Sequence, residues 1–146
     1  MSADSTLRGL LVALAAEHAV IWGYGLVGGQ IGGALRDQVR QAELAHRVRR
    51  DTTVAAIRDR GGHPVDSHAT YHTPFPVTDE HSALRLAVHL EQGAAQAWHY
   101  LLGATTEKPV RSTAVSALSD SAVRATGWRV RLGPADAAVA FPGATK

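Results

Sequence analysis

The chain has 146 residues, of which 45% are hydrophobic and 19% are charged. This length corresponds to one domain, residues 1–146, and the apolar share is enough to form its core, which excludes general disorder. Aromatic residues make up 5% and cysteine is absent. The composition therefore favours helices over sheets, and it excludes disulfides, thiolate metal sites and cysteine nucleophiles.

The charge pattern argues against a nucleic-acid partner. The formal net charge is only +2 at pH 7, and the basic segment between residues 47 and 60 is interrupted by acidic residues and contains no aromatic side chain. We interpret it as a solvated helix face. The apolar run over residues 9–16 is too short to span a bilayer, and the first residues lack the basic segment of a secretory signal. We therefore expect a cytoplasmic protein with no membrane partner.

The first half of the chain predicts two long helices. After Asp4, a possible N-cap, apolar residues recur at the three- and four-residue spacing of a helix, and glycines predict a break near residues 32–33. Helix 2 is predicted over residues 34–60. Helix 1 is apolar on nearly all sides and should be buried on more than one. We therefore expect a homodimer with helix 1 at the interface.

The second half predicts a long connection and two more helices. Residues 63–77 contain three prolines, three histidines and no helical period. Fifteen extended residues reach up to about 50 Å, enough to run the length of a neighbouring helix. Helix 3 is predicted from Thr78 to Thr105, and helix 4 from a first turn containing Pro109 to Gly133. A non-helical tail follows over residues 133–146. This pattern predicts an all-α four-helix bundle with a crossover between helices 2 and 3.

Polar residues lie on the predicted inner faces of three helices. On helix 2, His46 lies at the centre of that face and Glu43 about 60° away, which makes a Glu-x-x-His pair. Glu91 lies at the centre of the inner face of helix 3, and Glu17 borders that of helix 1. Carboxylates and imidazoles that converge inside a bundle are typical ligands of two-metal centres, and they suit iron or manganese. Candidate metal ligands are therefore Glu17, Glu43, His46 and Glu91.

Helix 4 has no second Glu-x-x-His pair, which favours an alternative without metal. Its inner face carries Ser121, with Arg124 to the side, and Arg50 lies one turn beyond His46. These cations can neutralise the inward carboxylates in a buried ion network. We favour this polar core, without a cofactor, in a non-catalytic module for association or for binding a small molecule whose identity the sequence does not indicate. The alternative is an iron or manganese oxidase, so enzymatic activity stays open.

Aromatic residues are predicted near the same interior. Trp98 and Trp128 lie on the inner faces of helices 3 and 4 and are expected in the core. Tyr24 and Tyr100 are expected near the glutamates, where their hydroxyls could donate hydrogen bonds.

A glycine pattern provides a further alternative. Gly23, Gly25 and Gly28 have the Gly-x-Gly-x-x-Gly spacing of a dinucleotide-binding loop, which would indicate a nicotinamide- or flavin-binding protein. That fingerprint requires a strand before the glycines. The upstream sequence has a helical period instead, so in the bundle these glycines would let helices approach closely.

Four segments carry a family resemblance: Ala-Leu-Ala-Ala-Glu-His-Ala-Val-Ile-Trp-Gly-Tyr-Gly at 13–25, Ala-His-Arg-Val-Arg-Arg-Asp at 45–51, Phe-Pro-Val-Thr at 75–78 and Ala-Phe-Pro-Gly at 140–143. Through them the chain resembles, over nearly its whole length, the alanine-rich ferritin-like domain of unknown function found in bacteria. The resemblance implies a ferritin-like four-helix bundle and a homodimer. It implies no activity.

Overall fold

A computed structural model describes residues 2–133 and Gly143. This part of the chain has no strand and forms four helices, α1 (Ala3–Gly29), α2 (Ala34–Asp59), α3 (Glu80–Ala104) and α4 (Lys108–Leu132). The prediction of an all-α, four-helix chain is confirmed for these residues. The tail predicted over residues 133–146 lies outside them, apart from Gly133 and Gly143.

The ends of α2 and α3 lie within two residues of the predicted ones, whereas α1 ends at Gly29, three residues before the predicted break. Local chemistry explains the differences at the helix starts. The N-cap of α1 is Ser2 rather than Asp4, because the Ser2 side chain accepts a hydrogen bond from a backbone N–H of the first turn. The N-cap of α3 is Asp79 rather than Thr78, because Asp79 forms a reciprocal capping box with Ser82. Gly33 precedes α2 with a φ of 63°, a left-handed conformation that glycine adopts without steric cost.

Glycines allow α1 and α3 to pack closely. A Cβ atom on Gly9 would lie 2.7 Å from the Leu101 side chain, and one on Gly23 would lie 2.5 Å from that of Leu90. As residue numbers rise along α1, those of their partners fall along α3, so the two helices are antiparallel. Helix α1 also packs on α2, and α3 packs on α4.

The dinucleotide-binding interpretation is wrong for this structure. Gly23, Gly25 and Gly28 all lie within the continuous helix α1. A phosphate-binding loop offers free backbone N–H groups after a strand, whereas those of a helix interior are already hydrogen-bonded. Gly23 instead provides the close contact with Leu90.

Part of the second apolar side of α1 is covered by the connection between α2 and α3. Residues 61–78 contain no helix or strand. A ring nitrogen of His18 lies 2.9 Å from the carbonyl oxygen of Val65, and the rings of Trp22 and Tyr71 are 5.7 Å apart. The connection therefore covers some of the surface from which a dimer interface on helix 1 was predicted.

Of the helices in the described part, α1 is the one with the length and hydropathy of a membrane span. An 18-residue window within it has a mean hydropathy of 1.7, and 44% of that window is buried. This 18-residue window thus passes a test of length and hydropathy that the run over residues 9–16 alone does not. Core helices also pass it, and α1 buries Glu17 and Tyr24 among the other helices. The absence of a membrane partner stays a prediction.

Candidate functional site

A histidine shared by two glutamates lies in the centre of the bundle. Nδ1 of His46 is 2.5 Å from Oε2 of Glu17, and Nε2 is 2.9 Å from Oε1 of Glu91. These residues come from α2, α1 and α3, and none of the three is more than 2% exposed. The structure therefore brings together three of the four residues predicted as metal ligands.

Aromatic side chains donate hydrogen bonds to both carboxylates. The Trp98 indole donates to Oε1 of Glu17 over 2.8 Å, and the Tyr24 hydroxyl donates to Oε1 of Glu91 over 2.6 Å. The Trp128 indole donates to the Tyr24 hydroxyl over 2.9 Å. The expected core positions of both tryptophans and the expected contact of Tyr24 with a glutamate are confirmed. With His46, these side chains form one hydrogen-bonded chain, called the ion network below, that includes all four helices.

A repeated spacing in the sequence positions the aromatic donors. Tyr24 follows Glu17 by seven residues, and Trp98 follows Glu91 by seven. Seven residues are about two helical turns, so each pair shares a helix face. Because α1 and α3 are antiparallel, each glutamate meets the aromatic donor of the other helix. This spacing is the sequence signal that could have identified Tyr24 and Trp98 as a matched set.

The surroundings of His46 favour its protonated, imidazolium form. Ionised carboxylates only accept hydrogen bonds, so a ring nitrogen facing each of them must carry a proton. Burial on its own would lower the pKa of His46, but the hydrogen bonds and negative charges of Glu17 and Glu91 outweigh it and raise the pKa from 6.5 to about 9. Burial and the charge of Glu91 raise the pKa of Tyr24 well above 10, so its phenol keeps the proton that it donates.

Arg124 of α4 supplies a second positive charge. Its Nη1 lies 3.9 Å from Oε2 of Glu91, and that oxygen is the one buried side-chain N or O atom in the described part without a hydrogen-bond partner. Two carboxylates thus face one imidazolium and one guanidinium. The charges of the ion network and Arg124 cancel without a metal ion.

A cleft between α2 and α4 connects this interior with solvent. Its volume is about 520 Å³, and Glu17, His46 and Ser121 contribute to its lining. Arg49 of α2 and Asp120 of α4 form a 2.7 Å ion pair across it. The other lining residues are Gln41, Leu44, Ala45, Val48, Thr52, Ala117 and Arg124. The inward position predicted for Ser121, which is 2% exposed, is confirmed.

Comparison with known proteins assigns the chain to a family. The model of a domain of unknown function, DUF4439, matches residues 9–146. The chain belongs to the DUF4439 family. The crystal structure of a conserved hypothetical protein, Rv2844, from Mycobacterium tuberculosis is also similar to it, with 34% identity, a TM-score of 0.88, and coverage of 90% of this chain and 100% of that one. No curated protein matches the chain. The match confirms that the chain contains a domain of unknown function, which is the coarser part of the expected resemblance.

Two residues expected in the polar core of this DUF4439 chain lie outside it. Glu43 pairs with Arg47 at 2.8 Å on the surface of α2. Arg50 pairs with the adjacent Asp51 at 2.9 Å and is 26% exposed. Both lie to the side of His46 on the helix, where a charged group reaches solvent and avoids the desolvation cost of burial. The prediction that Tyr100 is near the glutamates is also wrong, since its side chain is 49% exposed.

The described part of the DUF4439 chain does not assemble the predicted iron or manganese site. Within it, no group of three or more His, Asp or Glu side chains has an arrangement that could hold a metal ion. A histidine ligand needs an unprotonated nitrogen, whereas both nitrogens of His46 face carboxylates. The fourth predicted ligand, Glu43, is engaged with Arg47 instead.

Proposed function

We propose that the protein is a non-catalytic module with a ferritin-like bundle, in which the ion network replaces a metal centre and the cleft between α2 and α4 binds a small molecule. The observation that carries this proposal is the engagement of both His46 nitrogens by buried carboxylates. Ferritin-like carboxylate proteins hold metals with inward side chains of the bundle core. Here an imidazolium and the Arg124 guanidinium provide the positive charge at a comparable interior position.

The helix directions support a ferritin-like arrangement with a crossover. Helix α1 is antiparallel to α3. It is antiparallel to α2 as well, because Gly28 at its end lies beside Val39 near the start of α2, and Leu7 near its start lies beside Gly62 just after α2. Helices α2 and α3 then run in the same direction, and the chain between them must return along the bundle. Helix α2 has 26 residues and is about 39 Å long, which the connecting residues can span when extended.

Ferrous iron and manganese are expected to leave the melting temperature of the protein unchanged. A metal ion would have to remove a proton from His46 and break its ion pairs, since both nitrogens are occupied. The measurement is metal content after purification without chelator, followed by thermal melts with and without each metal. We expect well below one metal ion per chain and superimposable melts.

A clear metal effect would favour the oxidase alternative. An ion that binds only the folded state stabilises it by about 2.7 kcal/mol at a concentration 100-fold above its Kd. Such a shift, together with one or more metal ions per chain, would contradict the metal-free network. If a metal ion shifted the melting temperature equally in the double variant Glu17→Gln with Glu91→Gln, the metal would instead bind elsewhere on the surface.

We also propose that the protein forms a homodimer through α1. This helix exposes Val12 by 40% and Leu26 by 37%, on one face, and burial of apolar surface drives association. Sedimentation is expected to give a dimer at micromolar concentration and a monomer after Val12→Lys with Leu26→Lys. The matched variant is Val123→Lys with Val130→Lys on the outer face of α4, where the exposures are 72% and 57%. A wild-type monomer, or dissociation by the α4 variant alone, would contradict an α1 interface.

A further inference from the structure

Hydrogen-bond donors on the cleft lack acceptors within the described part of the chain. Arg124 lies 3.9 Å from Glu91, which is too far for a hydrogen bond, and its guanidinium forms none with the described residues. Arg49 uses Nη2 for the bond to Asp120, which leaves other N–H groups available. Because guanidinium groups only donate, the free N–H groups of both residues are suited to an acceptor from a ligand or from water.

The carboxylates that line the cleft already accept hydrogen bonds. Both oxygens of Glu17 accept hydrogen bonds, one from Trp98 and one from His46. Asp120 accepts from Arg49. Glu91, which faces His46 and Arg124, completes a balance of three carboxylates against three cations. The free N–H groups of Arg49 and Arg124 still outnumber the one carboxylate oxygen on the lining that accepts no hydrogen bond, Oδ1 of Asp120. This excess of donors favours an anionic ligand over a cationic one.

One wall of the cleft is apolar. Leu44 and Val48 of α2 are 61% and 59% exposed, and at a spacing of four residues they are neighbours on the same helix face. Ala45 and Ala117 extend the apolar lining. The volume of about 520 Å³ falls in the usual range of small-molecule pockets, roughly 300 to 1,000 Å³. The cleft thus combines an end with free arginine N–H donors and an apolar wall.

We infer that the cleft binds an organic carboxylate with an apolar tail. The carboxylate accepts hydrogen bonds from Arg124, with Arg49 and the Ser121 hydroxyl as further donors, and the tail lies along Leu44 and Val48. Arginine suits this role because its planar guanidinium can donate two parallel bonds to one carboxylate. The inference rests on the proposed function, since it names the chemical class of the small molecule.

The test compares four probes that separate charge from tail. Octanoate has both features, acetate lacks the tail, 1-octanol lacks the charge and octylamine reverses it. The Arg49 guanidinium lies 5.9 Å from the centre of the Trp98 ring, so tryptophan fluorescence can follow binding, and calorimetry gives its affinity. Octanoate is expected to bind at least about tenfold more tightly than each of the others, because it alone makes charge-assisted hydrogen bonds and buries a tail.

Variants locate the site and separate binding from folding. Arg124→Gln and Arg49→Gln are each expected to weaken octanoate binding by about tenfold or more. Val48→Asn, at an exposed position, is expected to weaken it without a change in fold. Arg47→Gln is the matched control, since Arg47 is on the same helix but pairs with Glu43 and does not line the cleft. Its binding should equal that of the wild type.

The outcomes separate the ligand class from the proposed function. The carboxylate inference would be overturned if octanol or octylamine bound more tightly than octanoate. It would also be overturned if both arginine variants and Val48→Asn bound octanoate as well as the wild type does. Either result would leave the proposal of a ligand-binding module in place. Failure of all four probes to bind the folded wild type would overturn both.

Discussion

Replacement of His46 by leucine should lower the free energy of unfolding by about 3 to 5 kcal/mol, the usual cost of removing one partner from a buried ion pair. The substitution leaves Glu17 and Glu91 buried without the cation between them. Urea denaturation at pH 7, with the fraction unfolded followed by circular dichroism, measures the change.

A surface arginine on the same helix provides the control for His46→Leu. Arg50→Ala removes a partly exposed pair with Asp51 and should cost less than about 1 kcal/mol. A triple variant that adds Glu17→Gln and Glu91→Gln to His46→Leu should recover part of the loss, because the buried negative charges are then absent. Equal effects of His46→Leu and Arg50→Ala would show that the ion network does not stabilise the fold.

The free energy of unfolding should also fall as the pH rises above 6.5. The pKa of His46 is raised from 6.5 to about 9 by folding, so the folded state binds the proton more tightly than the unfolded state. The stabilisation is therefore complete below pH 6.5 and is lost as the pH passes through about 9. The gap between the two pKa values corresponds to a loss of roughly 3 kcal/mol in the free energy of unfolding. Urea denaturation at a series of pH values between 6 and 9.5 measures it.

The other groups around His46 allow this slope to be assigned. The neighbouring charges are those of Glu17, Glu91 and Arg124, and arginine stays protonated throughout this range. The pKa of Tyr24 lies well above 10, so its phenol does not ionise there. The His46→Leu variant should lose most of the slope. A slope of the same size in that variant would assign the effect to other groups.

Much of the helical framework could be predicted because its signals are local. Gly33 and Pro109 mark helix starts through backbone geometry, and the apolar periods place Trp98 and Trp128 inside. The capping residues Ser2 and Asp79 differ from the predicted Asp4 and Thr78 because neighbouring serine, threonine and aspartate side chains can all act as N-caps. Which of these side chains forms the capping hydrogen bond is visible only in the structure.

The site could be predicted only in part because a helix wheel gives direction but not reach. His46 and Glu91 lie at the centres of their faces, so their inward positions followed from the sequence. Glu43 and Arg50 lie off-centre, and long side chains at such positions can turn to solvent and pair locally. The Arg49–Asp120 pair across the cleft depends on the separation of α2 and α4, which no periodicity in either helix specifies.

The proposed metal-free core requires His46 to be a buried imidazolium between Glu17 and Glu91. Nitrogen NMR of chain labelled with ¹⁵N in its histidine rings tests it most directly, with the His46→Leu spectrum used to assign the signals. At pH 7.5, after treatment with chelator, both ring nitrogens of His46 should be protonated and show one-bond couplings to hydrogen. One unprotonated His46 nitrogen under these conditions would contradict the account, because that nitrogen would be available to a metal ion.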